Sequence, residues 1–313
     1  MTPAAPPVSG GSTRGALYAL GAYLLWGVLP LYFLQLKPTG PFEVVAWRIL
    51  LAFVFCLVLL TVLRAWRPFL AIVRQPRLMA LTAVAGVLIY VNWQTYLYGA
   101  LTNHVIETSL GYFINPIVTV LLGVLVLRER LRVLPWIAIG IAVAAVVVIV
   151  VGYGTFPWIA LTLAFSFGFY GLVKKQIGPS VDAVSGLTLE SMWLLPVAGV
   201  QLAVVAAFGG LTLGTAGTLH TVLLLAAGAV TAVPLLLFAS GARRVPLTVI
   251  GLLQFVAPII QFAIGVWVLG EAMTLERWIG FALVWVALIM LSVDSVVASR
   301  RQRRVVVDVA EPV

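Results

Sequence analysis

Two stretches decide how this chain folds: residues 110–137, LGYFINPIVTVLLGVLVLRERLRVLPWI, and residues 252–279, LLQFVAPIIQFAIGVWVLGEAMTLERWI. Aligned with a shift of 142, they agree at 11 of 28 positions, among them Phe113/Phe255, Pro116/Pro258, Gly123/Gly265, Glu129/Glu271 and Trp136/Trp278. A biased composition explains matched Val or Leu, but matched Pro, Glu and Trp point to a duplication. A weaker echo, at a shift of 144, sets Trp26-Gly27 on Tyr170-Gly171.

Both stretches open on long uncharged runs, and the rest of the chain is built the same way. Of 313 residues, 63% are hydrophobic and 9% charged, against roughly 45–50% and about 25% in soluble domains. Water cannot cover such a surface, so lipid must. A crossing helix needs about 20 apolar residues. Gly15–Gln35, Val44–Leu63, Leu78–Leu101 and Thr108–Leu127 each meet that length. Val133–Val173 is two spans, broken at Gly152-Tyr-Gly-Thr-Phe-Pro157. Ala183–Ala242 is two more, broken across Gly209–Gly217. Val245–Leu269 and Trp278–Val297 complete an expected ten-helix, all-α integral membrane protein.

The net charge of +9 is therefore an orientation signal and not a nucleic-acid footprint. With the N-terminus inside, 16 of the 19 Lys and Arg residues lie on the inner side; Lys37 and Arg277 lie outside and Arg48 within the membrane. Five spans per copy is an odd number, so the second copy enters with opposite orientation. The expected division is a disordered cytoplasmic tail at 1–14, five-helix repeats at 15–151 and 155–297, and a basic cytoplasmic tail at 298–313. Cys56 is the sole cysteine, so no disulfide forms within the chain.

Inverted repeats are a property of secondary transporters, which hold substrate near the midplane where the halves meet. Pro116 and Pro258 each remove a helix hydrogen bond at matched places and are read as helix breaks, marking a site between them or serving as a pair of kinks that shape packing. Tyr112, Asn115, Gln254 and Gln261 lie beside them and Asn92, Trp93 and Tyr96 enrich span three, all as candidate substrate contacts. Arg48 and Glu190 are costly membrane charges at equivalent positions of the two copies. Arg48 is read as an anchor for an anionic or polar group, or as a snorkelling side chain. Glu190 is read as a proton carrier, because removal from water disfavours the charged carboxylate, or as a partner for neighbouring helices. His104 and His220 read as ordinary loop residues. No metal-ligand spacing, nucleophile elbow or phosphate loop is present, so neither a cofactor nor an enzymatic activity is expected.

The chain resembles the EamA family of the drug/metabolite transporter superfamily, and within it the RarD-type permeases. The resemblance rests on Ser109-Leu-Gly-Tyr-Phe-Ile-Asn-Pro-Ile117, Ala164-Phe-Ser-Phe-Gly-Phe-Tyr-Gly-Leu-Val173, Trp193-Leu-Leu-Pro-Val197 and Val233-Pro-Leu-Leu-Leu-Phe238. It implies a bacterial inner-membrane permease of ten helices with both termini cytoplasmic, two EamA-like halves and no catalytic residues. Trp26-Gly27 matches the family's usual span-one pair, whereas the second half carries Tyr170-Gly171, which makes Tyr170 a further candidate. The expected partners are a small-molecule substrate and the lipid bilayer, with homodimerisation left open. A membrane scaffold or ligand sensor is the alternative.

Overall fold

The computed structural model describes residues 10–128, 133–153, 156–242, 244–245 and 247–310. Among these residues there is no strand. The helices are α1 (Gly10–Leu34), α2 (Pro41–Val62), α3 (Trp66–Val73), α4 (Pro76–Leu101), α5 (Val105–Leu127), α6 (Val133–Tyr153), α7 (Trp158–Ile177), α8 (Ala183–Phe208), α9 (Thr218–Ala242), α10 (Leu247–Leu253), α11 (Val256–Ala263) and α12 (Leu275–Ala310). A π-helical turn, Ile264–Val268, follows α11. Among the described residues eight helices are long and apolar enough to cross a membrane, so the chain is a multi-pass membrane protein.

Two of the expected spans fall short of that criterion, for different reasons. Helix α7 ends on Lys174 and Lys175, which lower its mean hydropathy. The segment expected as one span over Val245–Leu269 is not a continuous helix. Its break falls at Gln254 and Phe255, four and three residues before Pro258, where the proline ring clashes with the carbonyl of residue 254 and no N–H is available to bond it. Pro116 behaves differently, lying inside the unbroken α5. The matched prolines are therefore not matched interruptions.

The ends also differ from expectation. Helix α1 begins at Gly10, inside the segment read as a disordered tail, and α12 stays helical to Ala310, through most of the basic tail. Residues 1–9 and 311–313, Glu129 and part of the break at 152–157 lie outside the described residues. The loop after α2 contains α3, a short amphipathic helix with Phe69 and Ile72 buried and Trp66 and Leu70 exposed, the pattern of a helix lying in the interface.

Packing is interleaved. Helix α6 lies along α12, α5 along α7, α4 along α7 and α8, α2 along α8 and α9, and α1 along α9 and α11. Glycines set the approach in several places. A Cβ on Gly111 would come 2.7 Å from the Ala160 carbonyl oxygen, one on Gly228 2.5 Å from that of Leu51, and one on Gly86 3.1 Å from that of Glu190. One apolar core surrounds Phe33, Ile49, Trp93, Leu163 and Leu194. A second joins Phe113, Phe262, Phe281 and Trp285, with ring centroids of Phe262 and Phe281 4.7 Å apart.

Candidate functional site

Arg48 enters from the second turn of α2 and is 5% exposed. Its Nε donates to Thr231 Oγ1 at 2.7 Å. Thr231 stands midway along α9, so the guanidinium reaches the middle of the bundle and does not snorkel to its edge. The Thr231 hydroxyl gives its own proton to the Ala227 carbonyl. The guanidinium carbon lies 4.2 Å from the Trp93 ring centroid and 5.7 Å from that of Phe33, stacking that offsets part of the cost of burying the charge. None of these partners is a carboxylate, and among the described residues Nη1 has no hydrogen-bond partner.

Asn92, one residue before Trp93 on α4, is 1% exposed. Its Nδ2 donates to the Leu163 carbonyl and Ser166 Oγ of α7, at 3.2 and 3.1 Å, and its Oδ1 accepts from the Tyr112 hydroxyl at 3.2 Å. Tyr96 packs between Phe33 and Tyr112, with centroids at 6.1 and 5.8 Å, and its buried hydroxyl has no partner among the described residues. The structure thus brings Arg48, Asn92, Trp93, Tyr96 and Tyr112 into one polar and aromatic box. Thr231 and Phe33 belong to it too. Sequence reasoning missed both, because a threonine in an apolar helix and one phenylalanine among 15 carry no distinguishing pattern.

Glu190 forms a separate cluster. It is 2% exposed, takes a hydrogen bond from the Tyr170 hydroxyl at 3.1 Å and pairs with Lys174 Nζ at 2.8 Å. Lys174, one turn past Tyr170 on α7, is about one-third exposed. The carboxylate read as a proton carrier or a helix partner thus has a cationic partner that reaches the surface. Asn115 and Gln254 are half-buried and, among the described residues, join neither cluster through a hydrogen bond, and Asn115 Oδ1 has no partner there.

The EamA-like transporter family matches residues 13–151 and again 157–293. The chain belongs to the EamA-like transporter family. Protein RarD of Streptomyces exfoliatus is 46% identical over 290 residues, covering 92% of this chain and 91% of that one. Protein RarD of Escherichia coli K12 is 38% identical over 288 residues, covering 92% and 97%. A protein of Vibrio cholerae named as an uncharacterized transporter is 39% identical over 291 residues, covering 93% and 96%. One solved crystal structure shares the fold, with a TM-score of 0.58 at 17% identity over 93% of this chain and 99% of that one. The chain is therefore an EamA-family, RarD-type membrane transporter.

The EamA segment boundaries place the box where the two matched segments meet. Arg48, Trp93, Tyr96 and Tyr112 come from the first, and Thr231, Leu163 and Ser166 from the second. The Trp26-Gly27 pair also has a physical role at this junction. Pro30 lacks the N–H that would bond the Trp26 carbonyl, and Gln261 Nε2 of α11 supplies the missing donor at 3.0 Å. Gly27 leaves room for Ile260, whose Cβ a methyl at that position would meet at 2.9 Å. Gln261→Met is expected to cost about 0.6–1.7 kcal/mol, the range of interhelical side-chain bonds in membranes. In a Pro30→Ala background, where residue 30 regains its N–H, that cost should fall to near zero. Thermal unfolding of the four proteins of the cycle checks this.

Three carboxylates that sequence reasoning passed over fasten helix ends across the two segments. Glu43 Oε1 accepts from the Thr212 backbone N–H at 2.8 Å, Glu107 from that of Ile159 at 2.9 Å, and Glu271 from those of Val105 and Ile106 at 2.6 and 3.0 Å. In the last two cases the charge meets the unpaired N–H groups of a helix start. His220 is a correction. It is 6% exposed rather than an open loop residue, with Nε2 2.7 Å from Thr39 Oγ1 and 3.1 Å from the Leu36 carbonyl oxygen.

Proposed function

We propose that this EamA protein is a secondary transporter of ten membrane crossings, arranged as two inverted five-helix halves, that moves a small metabolite or drug-like molecule across the bacterial inner membrane. In this reading α7 crosses with its lysines at the interface, and α10, α11 and the π-turn cross together as a broken helix. Both termini are cytoplasmic, and Glu190 couples transport to protons. The observation that carries the reading is the packing. Exchange each helix with its counterpart in the other half (α1 with α7, α2 with α8, α4 with α9, α5 with α10–α11, α6 with α12). The principal packed pairs are unchanged: α5 on α7 becomes α11 on α1, α4 on α7 becomes α9 on α1, and α2 on α9 becomes α8 on α4. Alternating access works by rocking one such half against the other around a midplane site, and the Arg48 box lies on that junction.

Reconstitution into liposomes with a metabolite-mixture uptake screen tests transport. A carrier accumulates at least one component above protein-free liposomes, whereas a scaffold or sensor accumulates none. Orientation has its own test. Single cysteines near Gly40, Asn103, Gly154 and Gly214 are expected to react with an impermeant thiol reagent in intact cells, while cysteines between Arg128 and Arg132 stay protected. Labelling of the latter from outside overturns both the orientation and the inverted halves.

A further inference from the structure

We infer that the Arg48 box is a binding site for a monocarboxylate with an apolar or aromatic body, which deepens the transporter reading and rests on it for its place in a transport cycle. Three observations carry this. First, the guanidinium is buried with one edge committed, Nε to Thr231, and another, Nη1, without a partner. A neutral hydroxyl that already donates elsewhere offers no countercharge, and a buried cation without one is held at a cost that a bound anion removes. The Trp93 ring beneath the guanidinium carbon offers no oxygen or nitrogen acceptor to the N–H groups that recognise carboxylates.

Second, an independent orphan lies in the same box. Among the described residues the Tyr96 hydroxyl is buried without a partner, on a residue 3% exposed; its ring packs on Phe33, as do the Arg48 guanidinium and Tyr32, and on Tyr112. Those other two phenols have acceptors already, the Leu223 carbonyl and Asn92 Oδ1. One guanidinium edge and one phenol are thus two donors in want of acceptors, and a carboxylate has two oxygens to offer them.

Third, the walls decide the rest of the ligand. Phe33 and Trp93 present ring surface to the cation, and Tyr96 and Tyr112 continue it, which suits an apolar or aromatic body packed beside the charge. The box holds a single cationic group among these residues. A dianion such as a dicarboxylate or a phosphomonoester would bring a second charge into a low-dielectric interior with no partner for it, and is disfavoured.

The test is direct binding to the purified full-length protein in lipid nanodiscs, comparing phenylacetate with its neutral amide by calorimetry. The wild-type protein is expected to bind phenylacetate about tenfold or more tightly than phenylacetamide, the difference a charge-assisted bond makes. Phenylphosphate is expected to bind more weakly than phenylacetate. Arg48→Lys keeps the charge but not the fork, so it should retain the preference for the acid with about tenfold weaker binding; Arg48→Gln should lose the preference. Equal affinity of the wild-type protein for acid and amide overturns the proposal without reliance on any variant. So does failure of phenylacetate, benzoate and hexanoate all to bind at millimolar concentration. Acid-selective binding without liposome uptake sustains the site and removes the carrier, whereas uptake of neutral solutes with no acid–amide discrimination does the reverse.

Discussion

Gly228→Leu is expected to leave almost no folded protein. Helix α9 crosses α2 at this glycine so closely that a Cβ would lie 2.5 Å from the Leu51 carbonyl oxygen and 2.6 Å from its carbon. Both atoms are backbone, so no rotamer change relieves the clash and the helices must part. Overpacking of ordinary cores already costs about 1–3 kcal/mol, and here the displaced element is a whole helix. Gly199→Leu in α8 is the control, because nothing lies within 4 Å of a Cβ there. Both substitutions replace glycine by leucine inside a helix and raise helix propensity alike, so any difference between them is steric. Yield of monodisperse protein and its thermal midpoint measure the effect; a Gly228→Leu protein with the wild-type midpoint would refute the packing described. Thr231 is one turn from Gly228, so the milder Gly228→Ala should also weaken the Arg48 contact and any binding that depends on it.

The second large effect is on energy coupling. Glu190→Gln should abolish proton-driven accumulation while exchange of substrate down its own gradient survives. Glutamine keeps the shape, and its oxygen accepts from Lys174 or from the Tyr170 hydroxyl as the carboxylate does. What it cannot do is carry a proton. Lys174 sharpens the test, since a proton and this lysine compete for the same oxygen. If the pair is instead only a fastener between α7 and α8, Glu190→Gln lowers thermal stability and Lys174→Gln/Glu190→Gln restores part of it, with coupling per inserted molecule unchanged throughout. Accumulation measured per inserted molecule, with and without a proton gradient, separates the two outcomes. Wild-type coupling in a well-folded Gln variant sinks the proton-carrier role.

Much of the membrane fold was legible without coordinates, and the reason is physical. In lipid every backbone group must be bonded within its own helix or to a close neighbour, so long uncharged runs have few alternatives to helix. The breaks at Gly209–Gly217 and before Trp158 were readable as glycine and proline clusters, and helices α8 and α9 end and begin there. The break before Pro258 was readable from the proline as well, but the same reading fails at Pro116, which leaves α5 intact. Whether a proline bends or breaks a helix depends on what neighbouring helices offer the freed carbonyl, as Gln261 does for Trp26.

Composition, run lengths and the matched stretches thus determined by themselves that this is a helical, multi-pass membrane chain with a duplicated sequence. They also singled out Arg48 and Glu190, because a charge in an apolar run is conspicuous. Only the tertiary structure decided what those charges meet. Arg48 met Thr231 and Trp93, 183 residues on in the case of Thr231, and Glu190 met Lys174 and Tyr170. Hydropathy records how each residue partitions between water and lipid, one position at a time. The partner of a buried polar group is set by which helices approach closely enough to present one, and that depends on glycine contacts between segments far apart in the chain.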